Sequence, residues 1–137
     1  MIEAIVAIKD ALPYMLQGCT ITIGIVCGAM SIGFAAGVPM AVAQVYGKKP
    51  IAVLTAVYVW FFRGVPVLVL LFLIYFGLFG FIEQKLSALL SLKISLSPFL
   101  AACLVLGAVS AAYQSQIFRG AILSLPEGQL KAAERWE

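Results

Sequence analysis

Residues 11–47 read ALPYMLQGCTITIGIVCGAMSIGFAAGVPMAVAQVYG, and none of them carries a charge. A helix rises about 1.5 Å per residue and the hydrocarbon core of a bilayer is about 30 Å thick, so roughly 20 such residues cross it. The run therefore predicts one transmembrane helix with slack at both ends, centred on 16–42. Within it Gly24 and Gly28, then Gly33 and Gly37, repeat the spacing that lets two helices approach closely in lipid. We read them as sites of packing within the chain rather than of dimerisation.

The rest of the composition agrees with lipid as the solvent. Hydrophobic residues make up 64% of the 137 and charged residues 11%, with a mean hydropathy of +1.09, against about 25% charged in a globular protein. A chain of this size leaves roughly a third of its surface in water when it folds alone. It cannot hide that much apolar area, and the class expected is an all-α integral membrane protein forming a single transmembrane domain.

Outward from the first span, Gly47-Lys48-Lys49-Pro50 combines two lysines with two helix breakers and predicts a short loop. The next apolar run, 51–82, is interrupted only by Arg63. As one helix it would be about 48 Å long, well beyond the bilayer core. A break is expected at Arg63-Gly64-Val65-Pro66, where proline lacks a donor and clashes with the preceding turn. On that reading 51–62 starts at the interface and the second crossing is 66–82. Residues 83–97, with Glu83, Lys85 and Lys93, read as a polar loop with room for a short surface helix. Ser97-Pro98 predicts a capped helix start, and 98–115 a third span whose Gly107, Ala108 and Ala111 suit burial among other helices.

Basic residues orient the chain. With the Lys48-Lys49 loop inside, Lys48, Lys49, Arg63, Arg119, Lys131 and Arg135 lie on the inner side and Lys9, Lys85 and Lys93 outside. The bias favours an external N-terminus and a cytoplasmic C-terminus. Glu3, Lys9 and Asp10 precede the apolar run, a pattern unlike a removable signal peptide.

Several chemistries find no residues. Histidine is absent, and Cys19, Cys27 and Cys103 lie in apolar runs without metal-ligand spacing, so they are expected to be small buried hydrophobes. Neither a catalytic residue nor a metal or cofactor site is expected. No GxxxxGK[ST] phosphate loop occurs, the three spans hold no carboxylate for a proton relay, and the net charge of +3 makes no case for nucleic acid. Energy for any transport has to come from another subunit.

The residues left with possible roles lie in two groups. Arg63 either snorkels to headgroups or serves the interior, by pairing with an anionic substrate group or by holding the bend through the carbonyls that Pro66 frees. Tyr113, Gln114, Ser115 and Gln116 are consecutive polar side chains where the third span nears the cytoplasm. They point in different directions on a helix, and they either line a solute path or end the span at an aromatic anchor. Beyond them Ser124 is expected to cap a turn at Leu125-Pro126-Glu127, and Gly128-Gln129 leads to Leu130, Ala132 and Ala133, a small-residue surface suited to a groove or simply a solvated charged tail.

This last stretch resembles the cytoplasmic signature of inner-membrane permease subunits of polar amino acid ABC transporters, the histidine/glutamine/glutamate uptake type. The matching residues are Tyr113, Arg119-Gly120, Ser124, Pro126, Gly128-Gln129 and Ala132-Ala133. Leu16-Gln17-Gly18 with Thr20 and Thr22 resembles the opening of that family's first span. Tyr58-Val59, Phe62-Arg63-Gly64-Val65-Pro66 and Tyr75-Phe76-Gly77-Leu78 resemble its second. The resemblance implies a partial ABC importer permease bundle of three spans plus a short cytoplasmic coupling helix in 119–137. Arg119, Gly120, Pro126, Gly128, Gln129, Ala132 and Ala133 would dock an ATP-binding subunit, and Arg63, Tyr113, Gln114 and Gln116 would lie on a substrate path. It also implies a second permease subunit, homo- or heterodimeric, and an external amino acid-binding protein. Gln116 and Lys131 stand where the family has acidic residues, and Glu134-Arg135-Trp136-Glu137 replaces its Ala-Leu-Gly. The chain is accordingly expected to be the N-terminal portion of a permease, the alternative being a small membrane protein of structural or assembly role derived from one.

Overall fold

Residues 2–90 and 97–126 are described by the computed structural model of the chain, with side chains described within 8–86 and 97–126. Everything described is helical apart from short connections. In chain order the elements are α1 (Ile2–Tyr46), α2 (Lys49–Gly64), α3 (Val67–Phe72), a π-helical segment (Leu73–Phe79), α4 (Gly80–Leu90) and α5 (Pro98–Leu123). Among the described residues three stretches are long and apolar enough to cross a membrane: Ile8–Tyr46, Val67–Leu86 and Pro98–Leu123.

The connections form where proline and glycine require them. A side chain at Gly47 would meet the Ala43 carbonyl oxygen, and α1 ends at Tyr46. Pro50 sits in the first turn of α2, where its missing N–H costs nothing. The expected break at Arg63–Pro66 is present: α2 stops at Gly64, and Val65 is extended at φ −102°, ψ 134°, the conformation that a following proline imposes. Pro66 then precedes α3. At the third span, Ser97 Oγ accepts the Leu100 N–H at 3.3 Å and Pro98 opens α5, the expected capped start.

The helices run further than the apolar stretches. α1 extends beyond 16–42 to Ile2 and Tyr46 and carries Pro13 and Pro39 internally. α4 reaches Leu90, so residues 83–90 of the polar 83–97 stretch are helix, not loop. α5 continues past Ser115 to Leu123. In each case polarity marks where lipid ends, while Glu, Gln, Lys, Leu and Ala keep the backbone helical in water. The Ser124 hydroxyl donates back to Ala121 O at 2.8 Å, and the turn it is expected to cap runs into residues outside those described.

α5 is the central helix, with Ala101, Cys103, Val105, Gly107, Val109, Ala111, Ala112 and Ser115 buried. One side packs on α1 along a line where Ala29, Gly33, Gly37 and Ala41 are buried at four-residue intervals. A Cβ at Gly28 would lie 3.0 Å from Cys103 Sγ, one at Gly33 2.5 Å from Ser110 Oγ, and one at Gly37 3.3 Å from the Ala111 carbonyl oxygen. The glycine spacing is therefore the α1–α5 contact within the chain, as expected. The other side of α5 meets a cluster of Leu70, Val105 and Val109, flanked by Phe62, Val65, Leu71 and Ile74. Tyr58 Oη donates to Ala108 O at 2.8 Å and ties α2 to the same helix. Only Cys103 is the buried small hydrophobe expected of all three cysteines. Cys19 and Cys27 are exposed because they lie off the face that α1 turns to α5. Large apolar side chains such as Met30, Phe34, Leu68 and Phe76 are more than half exposed, as suits surfaces solvated by lipid or covered by further helices.

Candidate functional site

Polar side chains lie along the second half of α5, where it faces α1 on one side and α2 on the other. Tyr113, Gln114, Ser115 and Gln116 fan out around α5 and each takes a separate surrounding. Tyr113 lies under the guanidinium of Arg63, whose Cζ is 5.0 Å from the ring centroid. Gln114 turns to α1, its Nε2 donating to Ser110 Oγ at 2.9 Å and to Met30 O at 3.3 Å. Ser115 is fully buried and donates to Ala112 O at 2.9 Å. Gln116 points to the gap between α1 and α2, where its Nε2 donates to Gln44 Oε1 at 2.9 Å.

Two adjoining clefts result. One, of about 320 Å³, lies between α1, α2 and α5 and is lined by Gln44, Ala52, Ala56, Val59, Trp60, Gln116 and Arg119. The other, of about 360 Å³, is lined by Val59, Trp60, Arg63, Gly64 and Tyr113. Trp60 stands between them, 77% exposed. Among the described residues each cleft carries one arginine and no carboxylate. The electrostatics of both favour an anionic or acceptor group.

Of the residues expected on a substrate path, Arg63 and Tyr113 come together, while Gln114 and Gln116 are committed to two different contacts. The four do not share one cavity within this chain. Arg63 spends its charge on an aromatic face, not on the carbonyls near Pro66. Of the residues expected to dock a partner, Arg119 lines the first cleft, Gly120 has open space where a Cβ would stand, and Pro126 follows the end of α5. Gly128, Gln129, Ala132 and Ala133 lie outside the described residues. Gln44 and Trp60 were not singled out by the sequence. An isolated amide near the end of an apolar helix and a tryptophan one turn from Arg63 were the available signals. Among the described residues no group of three His, Cys, Asp or Glu could hold a metal ion.

No family model matches the chain. Curated relatives do. The glutamate/aspartate import permease protein GltK of Escherichia coli O157:H7 is 34% identical over 127 residues, covering 93% of this chain and 55% of that protein. The octopine transport system permease protein OccQ of Rhizobium radiobacter is 31% identical over 123 residues, 89% of this chain and 52% of that one. A probable amino-acid permease protein, YxeN of Bacillus subtilis, is 35% identical over 125 residues, 90% and 51%. The chain is homologous to amino acid transport permeases. A solved amino acid ABC transporter, crystallised with histidines, superposes with a TM-score of 0.76 at 28% identity, over 96% of this chain and 56% of that one. The homology is thus one of fold as well as sequence, and the chain spans about half the length of the permeases that it matches.

Proposed function

We propose that the chain is a transmembrane permease component of an ATP-driven amino acid importer. The observation that carries the reading is the joint match in sequence and fold to amino acid permeases over about nine-tenths of the chain. Its place is the cell inner membrane, multi-pass, with the N-terminus outside and the C-terminus in the cytoplasm.

In this reading Arg119, Gly120 and Pro126 lead into Gly128, Gln129, Ala132 and Ala133, which dock an ATP-binding subunit. A second permease subunit completes the path and an external binding protein delivers the amino acid. The chain's own part is mechanical. α5 is one unbroken helix from Pro98 to Leu123, so a displacement at its cytoplasmic end is carried to the Arg63–Tyr113 cleft and the α1 contact together. Arg63 and Tyr113 contribute to the substrate path, with Gln114 and Gln116 fixing α5 against α1.

The test is co-purification of the chain with its ATP-binding subunit from membranes. Gly128→Trp with Gln129→Trp abolishes association if the segment docks. Undiminished association of that variant would remove the docking claim.

A further inference from the structure

We propose that the cleft between α1, α2 and α5 binds the phosphate of an anionic phospholipid of the inner leaflet. The inference goes beyond amino acid transport and rests only on the inner placement of this end of the bundle.

Gln116 donates to Gln44 Oε1, which leaves Gln44 Nε2 buried without a partner. A buried donor left unpaired costs about 1–3 kcal/mol, and a turn of the Gln44 amide toward the cleft, which Gln44 lines, offers that donor to an acceptor there. Arg119 lines the same space and, among the described residues, no carboxylate does, so an anionic acceptor is favoured over a neutral one. Ala52 and Ala56, one turn apart on α2, keep the wall short enough for a headgroup phosphate.

The level of the cleft favours a lipid as the source of that phosphate. From Pro98, about 20 residues of α5 traverse the hydrocarbon core, which brings Arg119 out at its inner boundary. Exposed Trp60 stands at the rim, where amphipathic aromatic rings settle among headgroups. Lys48 and Lys49 at the start of α2 add to the attraction for an anionic surface. Basic pockets between helices at the cytoplasmic side are known takers of anionic headgroups.

The test uses the full chain with Trp136→Phe, leaving Trp60 as the sole tryptophan, in phosphatidylcholine vesicles. Dibrominated phosphatidylglycerol is compared with dibrominated phosphatidylcholine as quencher of Trp60. The expected result is half-quenching at about fivefold lower mole fraction of the anionic lipid, the worth of one cation at such a surface. Arg119→Gln and Gln44→Met both bring the two lipids close to parity. Gln44→Met changes no charge, so a diffuse surface attraction would leave the preference intact. Gln44→Glu keeps an acceptor for Gln116, and with it the helix contact, yet turns a negative group on the phosphate and removes the preference as well. Equal quenching by both lipids in the parent chain overturns the proposal, as does a preference that survives Gln44→Met or Gln44→Glu. Relief of quenching by millimolar inorganic phosphate, or by free amino acid, overturns it in favour of a soluble anion.

Discussion

The guanidinium of Arg63 lies 5.0 Å from the centroid of the Tyr113 ring, joining the C-terminal turn of α2 to the middle of α5. Arg63 is the last residue but one before the break at Val65-Pro66, so this contact fixes the helix end at which the chain changes direction. A cation over an aromatic face contributes about 0.5–2 kcal/mol, more where water is excluded. Tyr113→Phe keeps the ring and is expected to leave thermal stability in detergent unchanged. Tyr113→Leu is expected to lower it by about 1 kcal/mol.

The α1–α5 seam makes a sharper distinction between glycines. A Cβ at Gly107 would stand 2.7 Å from Ile32 Cγ2 and 2.8 Å from its Cβ, whereas one at Gly18 meets nothing within 4 Å. Branching at Cβ leaves Ile32 little room to turn away. Gly107→Ala is expected to destabilise by about 1–3 kcal/mol through overpacking. Gly18→Ala is expected to be neutral or mildly stabilising, because alanine is the better helix former. Denaturation midpoints of the two variants against the parent decide this.

Tyr58 supplies the hydrogen bond between α2 and the centre of α5. Its acceptor, the Ala108 carbonyl, lies inside a helix and keeps its ladder bond when the phenol is lost. Tyr58→Phe is therefore expected to cost about 0.6 kcal/mol and no more than about 1.7, the range measured for interhelical bonds in membranes. A larger loss in a reversible unfolding assay would mean that the hydroxyl supports more than this bond.

The Gln44–Gln116 pair is separated by 72 residues of sequence and can be isolated by a double-mutant cycle. Gln44→Met, Gln116→Met and the double variant are expected to give a coupling of about 0.6–1.7 kcal/mol. A coupling indistinguishable from zero would mean that the two amides do not hold each other in the membrane.

The sequence made some of these features legible and hid others for physical reasons. Lipid selects against charge over a span of about 20 residues, so the three crossings stood out, as did the breaks at Gly47–Pro50 and Arg63–Pro66, where glycine and proline act locally. The Ser97 cap was equally local. Helix ends were not legible, because residues such as Glu83 and Lys85 end the lipid-facing stretch without ending the helix. Nor did Leu73–Phe79 announce its π-helical winding, at whose start Phe72 of α3 stacks on Phe76 at 5.8 Å. The clefts were hidden for another reason. Which of Tyr113, Gln114 and Gln116 meets Arg63, Met30 or Gln44 depends on how α5 is rotated between two neighbours, and that rotation is set by long-range packing such as Gly33 on Ser110 and Leu70 on Val109.

We propose that the segment after Leu123 meets an ATP-binding subunit on the cytoplasmic side of an amino acid importer. The most direct measurement is site-specific cross-linking from Gln129→Cys, in a chain with Cys19, Cys27 and Cys103 replaced, to the ATP-binding subunit in native membranes. A cross-link to that subunit whose yield changes between ATP and ADP, with none from Lys9→Cys, is the expected result. A cross-link from Lys9→Cys instead, or none from Gln129→Cys in membranes where the two proteins co-purify, would contradict it.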